Sequence, residues 1–310
     1  MTGVFRGPVL WVTEQPVIRR TMQSSAVGKR FAERFVAGDS LDDGLAAARA
    51  LAHGGIATLL DHLGENVTSA EQAATAADDY IRAIRRSREA PGMDCIISVK
   101  LTQLGLDSGV DVCAQNMVRV LQAAEEEDPP RRVMIDMESS EYVDRTLDLY
   151  LALRSKHLVG ICLQSYLRRT AEDAERIAGP EAVVRVTKGA YLEPRDRAFQ
   201  RRDEVSRAFV ALAKNLLARG STVHLATHDE RLVGGAREYL HRAAVPADRY
   251  EFQMLYGIRR DLQASLVQGG EPLRVYVPYG TQWYPYLTRR LAERPANVWF
   301  FVSNALRLRG

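Results

Sequence analysis

The sequence predicts an α/β fold, a TIM-type (β/α)8 barrel with additional N-terminal helices. Two observations predict it. Eight short apolar runs alternate with longer segments rich in Ala, Arg, Glu and Leu, and polar side chains follow the apolar runs repeatedly. Strands that alternate with helices are typical of a parallel sheet, and eight such units close a barrel. In such a barrel the chemistry belongs at the carboxyl ends of the strands.

The elements follow one another without a Ser/Gly/Pro-rich linker. Residues 13–53 are interpreted as helices packed on the barrel. The predicted strands are Ile56–Leu60, Cys95–Leu101, Arg132–Met137, Gly160–Gln164, Val183–Thr187, Thr222–Ala226, Glu251–Leu255 and Leu273–Val277. The helical segments between them include Ala70–Ser87, Gly109–Glu127, Ser140–Ser155, Ala171–Ala178, Asp203–Ala218 and Leu232–Ala243. We therefore predict one domain over residues 1–310, with an N-terminal helical segment over 1–53 and the barrel over 54–310.

Composition narrows the class of protein. A chain of 310 residues with 46% hydrophobic content can bury a large core. The net charge of +3 is small, and basic and acidic residues are interspersed. The sequence therefore shows no cluster of basic residues of the kind that binds nucleic acid. Cys95, Cys113 and Cys162 lack metal-type spacing and are interpreted as reduced, buried residues. With no signal peptide or membrane-spanning run, we expect a cytoplasmic protein, and peripheral contact with the inner membrane stays open.

The last predicted strand leads through a Pro/Gly turn into a helix that has Pro285 in its first turn. Helical spacing places Tyr286 and Arg289 on one face, with Arg290 beside them. Arg binds a carboxylate with two parallel hydrogen bonds. Beside tyrosine rings, the pair predicts a pocket for a small amino or imino acid. Taken alone, the Arg pair is equally typical of a solvated basic helix face.

Polar residues also lie at the ends of the other predicted strands. They include Asp61, Glu65, Lys100, Asp136, Gln164, Arg185, Lys188, His228 and Gln253. Packing alone does not explain polar side chains at one end of so many apolar strands. Each residue taken singly fits a functional role and a purely structural charge about equally well.

Five segments follow one another in the strand order of the predicted barrel. They are Leu60–Glu65, Val184–Tyr191, Ala226–His228, Glu251–Gly257 and Tyr276–Glu293. Together they closely resemble the proline dehydrogenase family, FAD-dependent (β/α)8 enzymes that occur alone or as a domain of bifunctional proline-utilisation proteins. The resemblance runs from about Thr13 to the end of the sequence, and the chain looks like the small monofunctional form.

The resemblance implies oxidation of L-proline to Δ1-pyrroline-5-carboxylate by hydride transfer to the flavin N5, the first step of proline catabolism. It implies that Lys100, Arg289 and Arg290 clamp the substrate carboxylate. The walls of the proline pocket would be Ala190, Leu255, Tyr276 and Tyr286. Electrons would pass to a membrane quinone, and the product to a separate pyrroline-5-carboxylate dehydrogenase.

Four residues are predicted to be catalytic by the same resemblance: Lys100, Asp136, Arg185 and Tyr276. Asp136 would support Tyr276, and Glu65 would pair with Arg289 as a gate when the site is empty. No general base can be named. A crowded cationic site could lower the pKa of Lys100 and make it a base, and loss of the substrate proton to solvent is equally compatible with the sequence.

The flavin site is predicted in the same way. Arg185 would stabilise the negative charge of the reduced flavin, and Gln164 would hydrogen-bond the isoalloxazine ring. The full set of predicted FAD contacts is Gln164, Arg185, Thr187, Lys188, Gly189, Ala190, Thr227, His228 and Glu293. No Gly-rich dinucleotide fingerprint follows a strand, which argues against a Rossmann flavoprotein. Thr187 and Asp229 depart from the residues familiar in the family. By the resemblance, Thr187 would add a hydroxyl near the flavin, and Asp229 would place a negative charge close to the phosphate region.

Three alternatives remain. A Schiff-base aldolase barrel would use Lys100 or Lys188 as its nucleophile. A degenerate barrel would bind proline or a partner without catalysis. A hydroxyproline dehydrogenase is the nearest competitor, although Tyr276 and Tyr286 should crowd a ring hydroxyl.

Overall fold

Eight parallel strands close into a barrel in chain order, and the eighth strand pairs with the first. The computed structural model describes Gly28, Arg30 and residues 32–64, 67–89 and 92–293. The strands are β1 Ala57–His62, β2 Cys95–Val99, β3 Val133–Ile135, β4 Val159–Gln164, β5 Val183–Thr187, β6 Thr222–Ala226, β7 Tyr250–Leu255 and β8 Leu273–Tyr279. The predicted TIM-type barrel is confirmed.

Helices connect the strands. The α-helices whose bounds the structure describes are α1 Leu41–His53, α2 Ala70–Ser87, α3 Val110–Glu125, α4 Val143–Leu153, α5 Thr170–Ile177, α6 Arg202–Ala218, α7 Glu230–Arg242, α8 Arg260–Gln268 and α9 Trp283–Glu293. Short 3-10 turns precede α4 and β7, at Ser140–Tyr142 and Ala247–Arg249. None of the helices described is long and apolar enough to cross a membrane.

Helix α1 begins at a capping box. The Ser40 hydroxyl accepts a hydrogen bond from the Asp43 amide, and the Asp43 carboxylate accepts one from the Ser40 amide. Reciprocal bonds of this kind satisfy amides that the first helical turn leaves without partners. The cap therefore fixes where α1 starts. The wider prediction of a helical segment over residues 1–53 stays a prediction, because most of that segment lies outside the described residues.

Helix α1 packs along the seam between β8 and β1. A side chain at Gly44 would come within 3.1 Å of the Tyr279 ring, so the helix lies close against the end of β8. The described part of α9, the helix that follows β8, does not make comparable contacts with either strand. The seam is therefore covered by a helix from before the barrel.

The barrel interior is distinct from the main core. A small cluster of buried Leu59, Ile96, Met134 and Val183, joined by Tyr276, packs separately from the larger core between strands and helices. Alternate residues of a strand point to the same face. The residues two positions beyond these four therefore also face the interior, at the carboxyl end. They are Asp61, Ser98, Asp136 and Arg185.

Candidate active site

Asp136 is the centre of a hydrogen-bonded cluster inside the barrel. Its carboxylate accepts from Arg185 Nη1 at 2.5 Å, from the Ser98 hydroxyl at 2.7 Å and from the Tyr276 hydroxyl at 2.7 Å. Burial alone would raise the pKa of Asp136, but the charges of Arg185 and Lys100 outweigh burial and lower it. The carboxylate is therefore ionised at neutral pH. The structure thus brings together Asp136, Arg185 and Tyr276, three of the predicted catalytic residues.

Lys100, the fourth of these residues, lies between two carboxylates. Its ammonium is 2.5 Å from Asp61 Oδ1 and 3.6 Å from Asp136 Oδ2, and its side chain is 8% exposed. Burial alone would lower the pKa of Lys100, but the two carboxylates outweigh burial and raise it. The idea of a base with a lowered pKa is therefore contradicted. A lysine with a raised pKa is also a poor Schiff-base nucleophile at neutral pH, because the nucleophile must be the neutral amine.

Arg185 is buried and bonded on two of its three nitrogens. Nε donates to Gln253 Oε1 at 2.7 Å, and Nη1 donates to Asp136 and, at 3.3 Å, to Ser98. The guanidinium carbon lies 5.5 Å from the centre of the Tyr276 ring. Nη2 is buried and has no hydrogen-bond partner among the described residues. Since an unsatisfied buried donor is costly, Nη2 marks a place for a ligand acceptor.

Three ion pairs inside the barrel balance one another in charge. Three cations face three carboxylates in direct ion pairs: Lys100, Arg185 and Arg274 with Asp61, Asp136 and Glu251. Uncompensated charge is expensive in a low-dielectric interior. These three cations are therefore already neutralised by carboxylates of the protein.

Two further cations lie on α9. The Arg289 guanidinium is 5.7 Å from the Tyr191 ring, and the Arg290 guanidinium is 5.5 Å from the Tyr286 ring. The Tyr286 ring lies under Arg290, which the prediction places beside Arg289 on the same helix. Tyr191 follows β5 and is close enough to Arg289, Lys100 and Asp136 for their charges to act on its pKa, which burial raises. Helix α9 therefore brings two arginines to the carboxyl end of the barrel.

The predicted cofactor residues after β5 and β6 form a second cluster. The Lys188 ammonium is 2.8 Å from Asp229 Oδ2, and the other Asp229 oxygen accepts from the Arg231 amide at the start of α7. His228 Nε2 accepts from the Leu255 amide at 2.8 Å, which ties β6 to the end of β7. The Thr227 hydroxyl accepts from the Asp229 amide. The unexpected Asp229 is therefore paired with a lysine and caps a helix.

Gly189 and Thr187 define the wall beside this cluster. Gly189 has φ +108°, and a side chain there would overlap the Tyr166 ring. Only glycine fits without displacing that ring. The Thr187 hydroxyl donates to the Leu163 carbonyl at 3.3 Å, so the extra hydroxyl is satisfied within the barrel wall.

Two predicted residues lie outside the described part of the chain: Glu65 and the side chain of Glu293. Three interior residues had no role assigned from the sequence: Asp61, Ser98 and Gln253. Each lies two positions from an inward-facing neighbour in its own strand, and this period-two register is the signal that could have found them.

These residues fit the FAD that the resemblance implies. Arg185 Nη2 is a buried donor and Gln164 Oε1 a buried acceptor, and neither has a partner among the described residues. Gln164 Nε2 donates to the Met137 carbonyl at 2.9 Å, which fixes the direction of the amide. One orphaned donor and one orphaned acceptor on neighbouring strands suit the mixed polar edge of an isoalloxazine ring.

Comparisons with known proteins identify relatives of this chain. The family model described as proline dehydrogenase matches residues 45–302. A proline dehydrogenase of Deinococcus radiodurans is 37% identical over 311 residues, which cover 98% of each chain. Proline dehydrogenase 2 of Bacillus subtilis is 36% identical and covers 87% of this chain and 88% of that protein.

A solved structure supports the fold. Proline utilization A (PutA) from Bdellovibrio bacteriovorus, inactivated by N-propargylglycine, matches with a TM-score of 0.75 at 23% identity. The match covers 84% of this chain and 32% of the PutA chain, so this chain spans about a third of that protein. By its family-model match and its identity to these relatives, this chain belongs to the proline dehydrogenase family.

Proposed function

We propose that the protein oxidises L-proline to Δ1-pyrroline-5-carboxylate with FAD bound at the carboxyl end of the barrel. The observation that carries the proposal is the buried Arg185, whose Nη2 has no partner among the described residues. FAD, when bound, would accept the hydride that leaves ring carbon five of proline. Gln164 and Arg185 would hold the isoalloxazine ring. The rest of the cofactor would be held by Thr187, Lys188, Gly189, Ala190, Thr227, His228 and Glu293.

Arg289 and Arg290 would bind the proline carboxylate. The interior cations are already paired, and Lys100 in particular is shared between Asp61 and Asp136. Lys100 would add a positive potential to the clamp, and the family resemblance assigns the direct contacts with the carboxylate to the two α9 arginines, whose guanidinium groups suit bidentate binding. Ala190, Leu255, Tyr276 and Tyr286 would enclose the ring.

The proton on the substrate nitrogen must leave before the hydride does. Since the pKa of Lys100 is raised, this lysine holds its own proton at neutral pH. We propose that the proton goes to solvent before proline is enclosed. The C5–H bond then breaks with both electrons leaving as hydride, and the nitrogen lone pair forms the C=N bond. Tyr276, held by Asp136, would lie against the ring and limit its orientations.

The family resemblance further suggests a quinone as electron acceptor and a separate pyrroline-5-carboxylate dehydrogenase as the next enzyme. A cytoplasmic location, with peripheral contact at the inner membrane, belongs to the same proposal. Anaerobic transfer of electrons from proline-reduced protein to a soluble quinone analogue tests the acceptor. An acceptor role is refuted if the protein stays reduced while the quinone is in excess.

The visible spectrum of the purified protein tests the reaction. A yellow protein that anaerobic L-proline bleaches, and hydroxyproline scarcely bleaches, is expected. Bleaching by hydroxyproline alone would favour the hydroxyproline alternative. A colourless protein that cannot be reconstituted with FAD would refute the proposal.

Substitution of the clamp tests the residue roles. Arg289→Met and Arg290→Met should each raise the KM for proline about tenfold or more while FAD stays bound, because each removes one charged partner of the carboxylate. Arg176→Met is the matched control, since Arg176 forms an exposed pair with Asp148 away from the site. Wild-type KM values in both clamp variants would contradict the assignment.

A further inference from the structure

The Gln253 amide lies inside the barrel between an arginine and a carboxylate. Its Oε1 accepts from Arg185 Nε at 2.7 Å, and its Nε2 donates to Glu251 Oε1 at 2.7 Å. The same Nε2 is 2.9 Å from His224 Nδ1. Gln253 is 4% exposed, so these bonds are made away from water.

The hydrogen-bond donors and acceptors around the Gln253 amide permit only one assignment of its oxygen and nitrogen. A guanidinium only donates hydrogen bonds and a carboxylate only accepts them. Reversing the amide would place N–H groups against Arg185 and an oxygen against Glu251. With Nε2 facing Glu251, its second proton faces His224 Nδ1, which must then be an acceptor. Burial lowers the pKa of His224 to about 4, so this ring is neutral and carries its proton on Nε2 at physiological pH.

Arg274 holds the Glu251 carboxylate from the amino end of the barrel. Arg274 Nε lies 3.0 Å from both Glu251 oxygens, and the two Nη atoms of Arg274 form a bidentate pair with Asp94 at 3.0 and 2.9 Å. The positive charge of Arg274 outweighs burial and lowers the pKa of Glu251. A continuous chain of hydrogen bonds therefore runs from the amino end of the barrel up to Gln253. Bonds in such chains polarise one another.

Two contacts on different nitrogens determine the plane of the Arg185 guanidinium. Asp136 and Ser98 bind Nη1 only, and one bonded nitrogen leaves the group free to swing about that contact. Gln253 binds Nε and removes this freedom. We propose that Gln253 is a positioning residue for the flavin reaction: it orients Arg185 so that Nη2 is presented to bound FAD. The inference rests on the proposed function.

The reduction potential of bound FAD tests the inference, because a residue with only a structural role would not change it. Gln253→Met removes the acceptor for Arg185 Nε while keeping the side-chain length. A hydrogen bond to a charged group is worth about tenfold or more in an equilibrium constant. We expect reduction to become about tenfold less favourable, a more negative potential by about 30 mV for a two-electron couple. FAD content should stay near that of the wild type.

Asn116→Leu is the matched control. Asn116 is another buried amide that donates to a carbonyl, at Leu104, and accepts from an arginine, Arg119. It lies on α3, outside the barrel interior. The potential of this variant should equal that of the wild type.

Gln253→Glu provides a second test that keeps the shape. When protonated, the new carboxyl can accept from Arg185 and donate to Glu251 as the amide does. When ionised, it adds a negative charge beside the carboxylate and near the flavin. The charged and titratable groups that face this position are Arg185, His224, Glu251 and Arg274. We expect a potential near the wild-type value at low pH that becomes more negative, relative to the wild type, as pH rises.

The outcomes separate the inference from the function on which it rests. A wild-type potential in both Gln253 variants, with FAD bound, overturns the inference alone. If Gln253→Met does not fold, the pH dependence of Gln253→Glu decides. A wild-type protein that cannot bind FAD overturns the proposed function and the inference together. In apo protein, ¹⁵N NMR should find the His224 proton on Nε2, and a proton on Nδ1 would contradict the assigned direction of the amide.

Discussion

Replacement of Asp136 by Asn should destabilise the fold at neutral pH. The amide keeps the shape of the carboxylate and one acceptor oxygen for Arg185 and Ser98, but it turns an NH2 group toward the Tyr276 hydroxyl. The substitution also removes a charge. The three ion pairs inside the barrel would then keep three cations and only two carboxylates.

The magnitude follows from burial and from the partners that remain. Removing one member of a buried ion pair costs about 3–5 kcal/mol. The Asp136 side chain is 14% exposed, and Lys100 keeps Asp61 as a partner. We therefore expect the lower end of the range, a free energy of unfolding reduced by about 3 kcal/mol.

Urea unfolding followed by tryptophan fluorescence measures this difference. Asp148→Asn is the control, because Asp148 is 69% exposed in its pair with Arg176, and such surface pairs contribute about 0–1 kcal/mol. An Asp136→Asn variant that loses no more than the control would refute the reasoning that buried charge balance stabilises the barrel.

The same difference should depend on pH. The folded-state pKa of Asp136 is lowered, so its stabilising contribution is fully present above the unfolded-state pKa and is lost as pH falls through the folded-state value. The gap between wild type and Asp136→Asn should therefore be constant near neutral pH and shrink below about pH 4. A gap that widens on acidification would contradict the assigned direction.

Three further substitutions test the cofactor and substrate regions. Gly189→Ala should lose bound FAD, measured as the ratio of visible to ultraviolet absorbance, because a side chain at φ +108° overlaps a tyrosine ring; normal FAD content would contradict this. Asp229→Asn should tighten FAD binding several-fold in a fluorescence titration of apo protein, because it frees the Lys188 ammonium and keeps a helix cap; weaker binding would show that the carboxylate aids the cofactor. Tyr276→Phe should lower kcat/KM for proline about tenfold, because a hydroxyl bonded to a carboxylate is lost; unchanged steady-state kinetics would remove Tyr276 from the site.

The fold was predictable because strand periodicity and helix alternation are local signals. The bounds of β5, β6 and α2 agree with the prediction. Strand β8 runs two residues beyond the predicted Val277. The Pro278 carbonyl accepts a hydrogen bond from the Ala37 amide, which belongs to no strand. Because the N–H and C=O of a strand residue point to the same side, the N–H that proline lacks would not have bonded a neighbouring strand, and Pro278 is tolerated. A partner so distant in sequence gives no local signal.

The site was predictable in outline for a different reason. Parallel strands bring their carboxyl ends to one edge, so polar residues after successive strands must lie close together. The partners of each side chain depend on register and direction, which the sequence does not specify. Asp61 and Gln253 were therefore missed as partners of Lys100 and Arg185. The predicted family and oxidoreductase class are confirmed by the comparisons.

The helix that covers the β8–β1 seam and the helix that carries Arg289 and Arg290 lie at opposite ends of the barrel sequence. The seam where the barrel closes is covered by α1, which precedes the barrel, whereas Arg289 and Arg290 lie on α9, which follows it. On the proposed function, changes around the two arginines would alter binding of the substrate acid and leave the contacts of α1 with the seam intact.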